Sequence, residues 1–552
     1  MEGTMRRQLL QATFFLWLSA ALLGFVSAPA VYAQTTITIN ERSAEIGELL
    51  RSGRELELER RWAEALAHYE ESLRRFPTDE SLRRRLDYSR LHYDVGRRCS
   101  DRSYSRLLDS LSLDQAVSLY GEVLVKIQTH YVEAPNWKTL VIHGSNDLEV
   151  ALTEPAFRER NLPGADDYQI DQFRYELRRL MGDVVVQSRS AAADTVRHIA
   201  DLARRRLQAE PTAVVLEYMC GAANALDAYS TYLTPDQLND VYAQIEGNFV
   251  GLGIEIKAVD GVLQIIRVIP GSPALRAGLV DGDRIVVVDG QPTEGLSTDK
   301  AAGLLQGEPG SIARLVVTSA EGHTRTVAVP RERVDVPSIN GEKILDRTHG
   351  IAYLRLSCFQ KTTARDLDAA MWNLHRAGMR SLIIDLRDNP GGLLVTAVEI
   401  VDRFVDQGTI VTTRGRTSSE DLTYSAHAIG TWSVPLVVLI DENSASAAEI
   451  FAGAIRDHGR GTIVGVRSYG KGSVQGIFPL ATSEAGIRLT TARFYSPSGH
   501  PFSKIGVSPD IAVHRVARPI DEAETEGGED EFVAAALDVA RRTVALRETD
   551  QR

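Results

Sequence analysis

Three short segments combine reactive side chains with glycines at points where an apolar run gives way to a turn. The first, Asp441-Glu442-Asn443-Ser444-Ala445-Ser446-Ala447-Ala448-Glu449-Ile450, leaves an apolar strand and enters a helical run. Ser446 and Glu449 match a Ser-x-x-Glu capping box, which puts Ser446 at the helix N-cap with its hydroxyl beside free backbone N–H groups. The same N–H groups, at the positive end of a helix, can hold the oxyanion that forms when a serine attacks a carbonyl. From this segment alone a plain cap and a nucleophile are both open readings.

A serine nucleophile needs a base. His458 is the nearest histidine in sequence, but twelve residues along one helix it would stand ~18 Å away at 1.5 Å per residue. Lys471 is the better candidate. It lies in Ser468-Tyr469-Gly470-Lys471-Gly472-Ser473-Val474-Gln475-Gly476, a glycine-flanked loop whose backbone can approach another element closely. Burial there would disfavour the ammonium form and leave a neutral amine able to take the Ser446 proton, whereas exposure would leave an ordinary loop lysine. The third segment is Asp385-Leu386-Arg387-Asp388-Asn389-Pro390-Gly391-Gly392-Leu393. Its paired glycines offer unobstructed N–H groups for the second half of an oxyanion hole, or simply a tight turn.

A phosphate-binding loop is the main rival, because Gly465-Val466-Arg467-Ser468-Tyr469-Gly470-Lys471-Gly472 nearly fits one and Leu382-Ile383-Ile384-Asp385 resembles its metal-binding strand. The fit fails at Gly472, where Ser or Thr is required, and Val474 to Pro479 reads as a strand where a helix should begin.

The elements that must position these segments alternate between Gly350 and Pro509. Strands are expected at Ile351–Leu356, Ser381–Leu386 and Leu436–Ile440, and helices near Ala364–Ala377, Leu393–Phe404 and Ala447–His458. Such alternation implies an α/β layer with its ligand site at the strand ends. Upstream, from about Phe249, lie short β-rich runs such as Val262 to Val268 and Arg284 to Val288, punctuated by Gly and Pro, which mark a domain boundary near 245. Residues 101–244 read as mostly helical. Within Ile46 to Val95, Gly53, Ala65, Tyr69, Ser72 and Pro77 fall at the offsets of one tetratricopeptide unit. One unit cannot bury its face alone, so it packs on the next helix or on a protein partner. After Asp510 an acidic stretch, Asp521 to Glu531, reads as a linker ahead of a terminal helix, Phe532 to Leu546.

The 552 residues exceed one hydrophobic core and suit several domains. Hydrophobic residues at 43% and charged residues at 25% are the balance of a soluble globular protein, and a net charge of -12 argues against nucleic acid as a partner. Cys99, Cys220 and Cys358 have neither disulfide nor zinc spacing. Arg6 and Arg7, an apolar stretch from about Ala12 to Val26, and Val31-Tyr32-Ala33 read as an export signal over 1–33, cleaved before Gln34. The apolar run is shorter than the ~20 residues of a membrane span, and no later segment is apolar enough to cross. The mature protein is therefore expected in the periplasm or at the cell envelope, with no stable membrane span.

Taken together, the motif around Ser446, the Tyr-Gly-Lys-Gly-Ser-Val-Gln run around Lys471 and the Arg387-to-Leu393 turn resemble the active site of the carboxyl-terminal processing (tail-specific) serine proteases, peptidase family S41. Leu226-Asp227-Ala228-Tyr229-Ser230 and Tyr495-Ser496-Pro497-Ser498-Gly499 match its flanking signatures, so the resemblance spans about 210 to 515. It implies a crotonase-like α/β core over 335–515 in which Ser446 is the nucleophile, Lys471 the general base and Gln475 the residue that positions the lysine. The Ala447 N–H, with one from the Gly391-Gly392 turn, would form the oxyanion hole. No metal or organic cofactor is implied. Residues 245–334 resemble the family's PDZ domain, with Phe249-Val250-Gly251-Leu252-Gly253-Ile254 as the carboxylate-binding loop. Gly251, Leu252, Gly253 and Ile254 would then bind the free, apolar C-termini of protein substrates. The expected architecture is multidomain: a signal peptide (1–33), a single tetratricopeptide-like unit (41–100), a helical region (101–244), the PDZ-like β-rich domain, the protease core, and a linker with a terminal helix (516–552). A catalytically silent PDZ scaffold and a peptidase without tail specificity are the alternatives.

Overall fold

The computed structural model describes residues 30–259, 262–296, 303–513 and 530–550. The chain divides into two compact units, residues 1–94 and 95–552. The export segment read at 1–33 lies outside the described residues except for its last four, which begin helix α1 (Ala30–Leu58).

In the first unit α1 is followed by α2 (Trp62–Arg75) and by α3 (Glu80–Ser100), whose later turns pass into the second unit. Ala65, Tyr69 and Ser72 are buried on one face of α2. A Cβ on Gly53 would stand 2.2 Å from the Tyr69 ring, so only glycine leaves room for the aromatic that the repeat offsets place opposite it. The buried carboxylate of Glu57 accepts from Tyr69 Oη (2.9 Å), Arg85 Nε (2.9 Å) and Ser89 Oγ (3.2 Å), tying three helices together. The repeat-like face is thus packed within its own unit.

The second unit opens with α4 (Arg102–Ser110), α5 (Leu113–His130), α6 (Trp137–Ala151), α7 (Pro155–Asn161), α8 (Asp167–Asp183), α9 (Arg189–Leu207) and α10 (Pro211–Asn224). The helix α10 is its axis: Pro211 to Ala223 are all buried, and a Cβ on Gly221 would lie 2.6 Å from Gly144 Cα of α6. A short loop then leads to strand β1 (Thr231–Leu233) and α11 (Pro235–Glu246), which Gly247 ends at φ 77. After Gly247 the chain turns from mainly helix to mainly strand.

The β-rich segment comprises β2 (Asn248–Gly251), β3 (Ile254–Val259), β4 (Val262–Val268), the short α12 (Pro273–Arg276), β5 (Arg284–Val288), β6 (Gln291–Pro292), β7 (Ile312–Thr318), β8 (Thr324–Pro330) and β9 (Glu332–Asp335). Its main sheet has the order β3-β4-β5-β7-β8 with β6 beside β5, so β3 is an edge strand, while β2 pairs with β9.

The core follows as β10 (Ile339–Asp346), β11 (Ile351–Leu356), α13 (Thr363–Arg376), β12 (Ser381–Asp385), α14 (Leu394–Asp402), β13 (Thr409–Gly415), β14 (Thr423–Ser425), β15 (Leu436–Ile440), α15 (Ala447–Asp457), β16 (Thr462–Gly465), β17 (Ser473–Pro479), β18 (Gly486–Tyr495), β19 (Ile511–Ala512) and α16 (Glu531–Asp550). Its main sheet runs β10-β11-β12-β15-β16-β19, parallel from β11 onward. Strands buried on both faces are mostly apolar, which explains the unbroken runs 382–384 of β12 and Leu436–Ile440 of β15. Leu382, Ile384, Val438 and Ile440 face α13, α14 and α15, whereas Ile383, Val437, Leu439 and Val464 face Phe532, Ala536 and Ala540 of α16. The C-terminal helix thus covers the second face of the sheet. The acidic stretch before it lies outside the described residues, apart from Asp530 and Glu531.

A second sheet, β1-β18-β13-β14 with β17 on β18, is not announced by local periodicity. It joins the helical region to the core, because β1 pairs antiparallel with β18 and Tyr232 shares a cluster with Ile487 and Leu489.

Candidate active site

Strands β12 and β15 are parallel neighbours, with Asp385 opposite Leu439, so the turns that follow them meet at one end of the sheet. Several hydrogen bonds lock the two turns together. Asp388 N–H donates to Asp441 Oδ1 (3.0 Å), Asn443 Nδ2 to Asp388 Oδ1 (2.9 Å), Ser444 Oγ to the Leu386 carbonyl (2.8 Å) and Ala445 N–H to the Asn389 carbonyl (2.9 Å). The serine turn and the glycine turn are therefore one polar assembly.

Ser446 precedes the first residue of α15, as the capping pattern requires, but with φ 56 and ψ -113 where an N-cap is normally extended. A positive φ on a side-chain-bearing residue is costly and marks a site whose surroundings hold it in place. The restraint is Glu449, whose Oε2 accepts the Ser446 N–H at 2.8 Å. The Glu449 N–H in turn lies 2.9 Å from the Ser446 carbonyl oxygen.

Glu449 does more than the capping pattern announces. It is wholly buried, and besides Ser446 its carboxylate accepts the Lys471 N–H (2.8 Å), the Gly470 N–H (2.7 Å) and Ser468 Oγ (2.6 Å). The Ser446 and Lys471 backbones therefore face one another across a single Glu449 oxygen. Burial raises the Glu449 pKa, against the hydrogen bonds from Ser468, Ser446, Gly470 and Lys471 that lower it. Ser468 Oγ itself accepts the Val507 N–H (2.7 Å), so its own hydrogen is directed at Glu449, and all four groups act as donors to an ionised carboxylate.

Lys471 is half-buried, and its Nζ lies 4.8 Å from the centroid of the Tyr229 ring. Its pKa is held below the ordinary lysine value by burial first and by Arg488 second, while Glu449 and Asp227 pull the other way. Arg488 Nε donates to the Tyr229 carbonyl (3.0 Å), so lysine and arginine flank the same tyrosine. Asp227 shapes that loop by accepting the Tyr229 N–H (2.8 Å) and the Ser230 N–H (2.9 Å). Among the described residues no hydrogen bond joins Lys471 Nζ to Ser446 Oγ or to Gln475, whose Nε2 donates to Ser473 Oγ (2.8 Å).

On the other side of Ser446 stand Gly391 (φ 102) and Gly392 (φ 145). A Cβ on Gly391 would lie 2.8 Å from Ser446 Cβ and 2.9 Å from Ala447 N, so glycine alone leaves the Ala447 N–H open. The Gly391 N–H is already spent on Asn389 Oδ1 (2.8 Å), and of the two glycine N–H groups only that of Gly392 can still receive a ligand. Gly392 is also pressed on backbone, since a Cβ there would meet the Phe359 carbonyl oxygen at 2.1 Å.

In the β-rich segment Gly251 ends β2 opposite Glu332, and Leu252 and Gly253 lead into β3 at Ile254. The Leu252 and Gly253 carbonyls accept from the Ala274 and Ile269 N–H groups (both 2.9 Å), which turns the loop's remaining hydrogen-bonding capacity toward its N–H groups. Leu252 is buried in the domain core while Ile254 packs at its margin. Gly253 has φ 82, and a Cβ on it would stand 2.2 Å from Ser272 Cβ.

Around Ser446, Lys471, Ala447 and the two glycines the structure gathers Glu449, Tyr229, Asp227 and Arg488 from separate segments of the chain. Asp227 and Tyr229 lie in the Leu226-to-Ser230 segment that matches a flanking signature of the family. Among the described residues no group of His, Cys, Asp and Glu could hold a metal ion, and no helix is long and apolar enough to cross a membrane. The three cysteines are free.

Comparison with known proteins adds an independent finding. Residues 350–513 match the model of peptidase family S41, and residues 264–319 match that of a PDZ domain. A carboxy-terminal-processing protease of Bartonella bacilliformis is 36% identical over 303 residues, covering 53% of this chain and 68% of that protein. A carboxyl-terminal-processing protease of Picosynechococcus is 35% identical over 331 residues, covering 59% of this chain and 78% of that one. A solved photosystem II D1 C-terminal processing protease is 25% identical, covers 72% of this chain and 93% of its own, and aligns with a TM-score of 0.39.

Proposed function

The chain belongs to the carboxyl-terminal-processing proteases of peptidase family S41, and we propose that it is an exported, periplasmic endopeptidase that cleaves proteins near their C-termini through an acyl-enzyme on Ser446, with Lys471 as general base. The observation that carries this reading is the shared Glu449 oxygen, which sets the Lys471 backbone against the strained Ser446 turn.

In this reading the Lys471 side chain turns from the Tyr229 ring to Ser446 Oγ. Its neutral Nζ takes the hydroxyl proton as Oγ bonds to the scissile carbonyl carbon. The carbonyl oxygen gains the negative charge and is held by the N–H groups of Ala447 and Gly392. The Lys471 ammonium then protonates the leaving amine, the C–N bond breaks, and the neutral lysine activates the water that releases the acyl group. The Gly251-Leu252-Gly253-Ile254 loop receives the substrate's terminal carboxylate, and the edge strand β3 pairs with its last residues.

Mass spectrometry of a protein substrate incubated with wild-type enzyme, Ser446→Ala and Lys471→Ala tests the reading. Both variants should lose turnover by orders of magnitude with their thermal midpoints retained, because nucleophile and base act as a unit. Turnover retained by either variant would overturn the assignment.

A further inference from the structure

Arg387 stands between the end of β12 and the glycine turn, and its side chain is 15% exposed. Its Nε lies 3.0 and 3.1 Å from the two oxygens of the buried Asp385, and its Nη2 lies 2.6 Å from Asp385 Oδ2. The other edge of the same guanidinium meets Asp530, with Nη1 3.0 Å from Oδ1 and Nη2 2.8 Å from Oδ2, and its carbon lies 5.2 Å from the Phe532 ring centroid. Asp530 is also the N-cap of α16, since its Oδ1 accepts the Phe532 N–H (3.0 Å) and the Val533 N–H (3.2 Å). One guanidinium thus joins the end of a central strand to the cap of the C-terminal helix.

The backbone of Arg387 is bound equally tightly. Its N–H donates to Asp385 Oδ1 (3.0 Å), its carbonyl accepts from Arg355 (3.1 Å), and the next residue, Asp388, takes φ 58 to start the turn that carries Gly391 and Gly392. A side chain clamped by two carboxylates fixes the backbone it hangs from, and bidentate guanidinium–carboxylate pairs have little angular freedom.

Resting on the peptidase reading above, we propose that the docked C-terminal helix positions the oxyanion turn through Arg387, which makes Asp530 a positioning residue for peptide-bond cleavage. It reaches the chemistry only through the chain 387–392. Its effect is therefore on transition-state stabilisation and not on substrate binding.

The test uses the full chain with Asp530→Asn and Asp530→Ser. Both residues keep a good N-cap for α16, but Asn sets an amide hydrogen where Oδ2 met Arg387, and Ser cannot reach the guanidinium. A cleavable peptide gives kcat and KM, and a peptide boronic acid, to whose boron Ser446 Oγ adds as its proton passes to Lys471 to give a tetrahedral anion, reports on the hole directly. Both variants should lose kcat by roughly tenfold with KM within about twofold, and the boronic acid should weaken by the same factor as kcat/KM. Wild-type kcat and boronic acid affinity in both variants, whatever the thermal midpoint, would overturn the proposal and leave the pair a purely structural tie. A wild-type enzyme that neither cleaves the peptide nor binds the boronic acid would instead overturn the peptidase reading and this inference with it.

Discussion

Glu449 takes four donors and no acceptor, so any change that gives it a hydrogen works against the site. In Glu449→Gln the amide group has to face N–H groups of the Ser446 and Lys471 turns, and each buried donor left unpaired costs about 1–3 kcal/mol. The variant should lose activity by at least roughly tenfold and melt at a lower temperature than wild type, with peptide turnover and calorimetry as the measurements. Acid should likewise lower activity, though not through lost stability, because Glu449 is protonated as pH falls through a folded pKa that burial holds above its ordinary value. Lys471 sets the basic side. Its folded pKa lies below the ordinary lysine value, the neutral amine is the active form, and kcat/KM should therefore rise with pH through that folded pKa. A pH–rate profile that stays flat from neutral pH to about 10, near the ordinary lysine pKa, would remove Lys471 from the role of base.

At the scale of elements, the glycine turn ties activity to stability. Gly391→Ala puts a methyl group 2.9 Å from Ala447 N and 2.8 Å from Ser446 Cβ, closing the donor and crowding the hydroxyl. Loss of one oxyanion donor costs about 10²–10³ in kcat, and that is the expected effect in steady-state assays of the folded variant. Gly392→Ala, 2.1 Å from the Phe359 carbonyl oxygen, should lower the unfolding midpoint in urea as well as kcat, because backbone and not a flexible side chain has to give way and that backbone carries the second donor. In the β-rich segment, the carboxylate loop ahead of edge strand β3 should distinguish a free C-terminus from its amide. Charge-assisted hydrogen bonds are worth about 1.5–3 kcal/mol, so an amidated peptide should bind full-length Ser446→Ala at least roughly tenfold more weakly. Equal affinities by calorimetry would leave the segment without a carboxylate-reading role.

At the scale of the whole molecule, the core is finished by its last helix. Phe532 is 5% exposed on the sheet face formed by Ile351, Ile383, Val437 and Leu439, so Phe532→Ala should cost about 3–5 kcal/mol in urea unfolding. Much of the fold and the site was legible beforehand for a physical reason: doubly buried parallel strands need unbroken apolar runs, amphipathic helices need their period, and turns that hold a positive φ need glycine. These demands act on neighbouring residues, and so the β12 and β15 segments, the start of α15 after Ser446 and the Gly391-Gly392 turn could be read directly from the chain. Glu449 was visible only as half of a capping box, since its other donors arrive from Ser468, Gly470 and Lys471 on a separate loop. The Tyr229 ring beneath Lys471, the pairing of β1 with β18 and the closure of the sheet by α16 through Asp530 and Arg387 were decided by tertiary structure alone. Each depends on which distant or cross-strand surfaces meet when apolar faces are buried, and such encounters leave no period or spacing in the residues that make them.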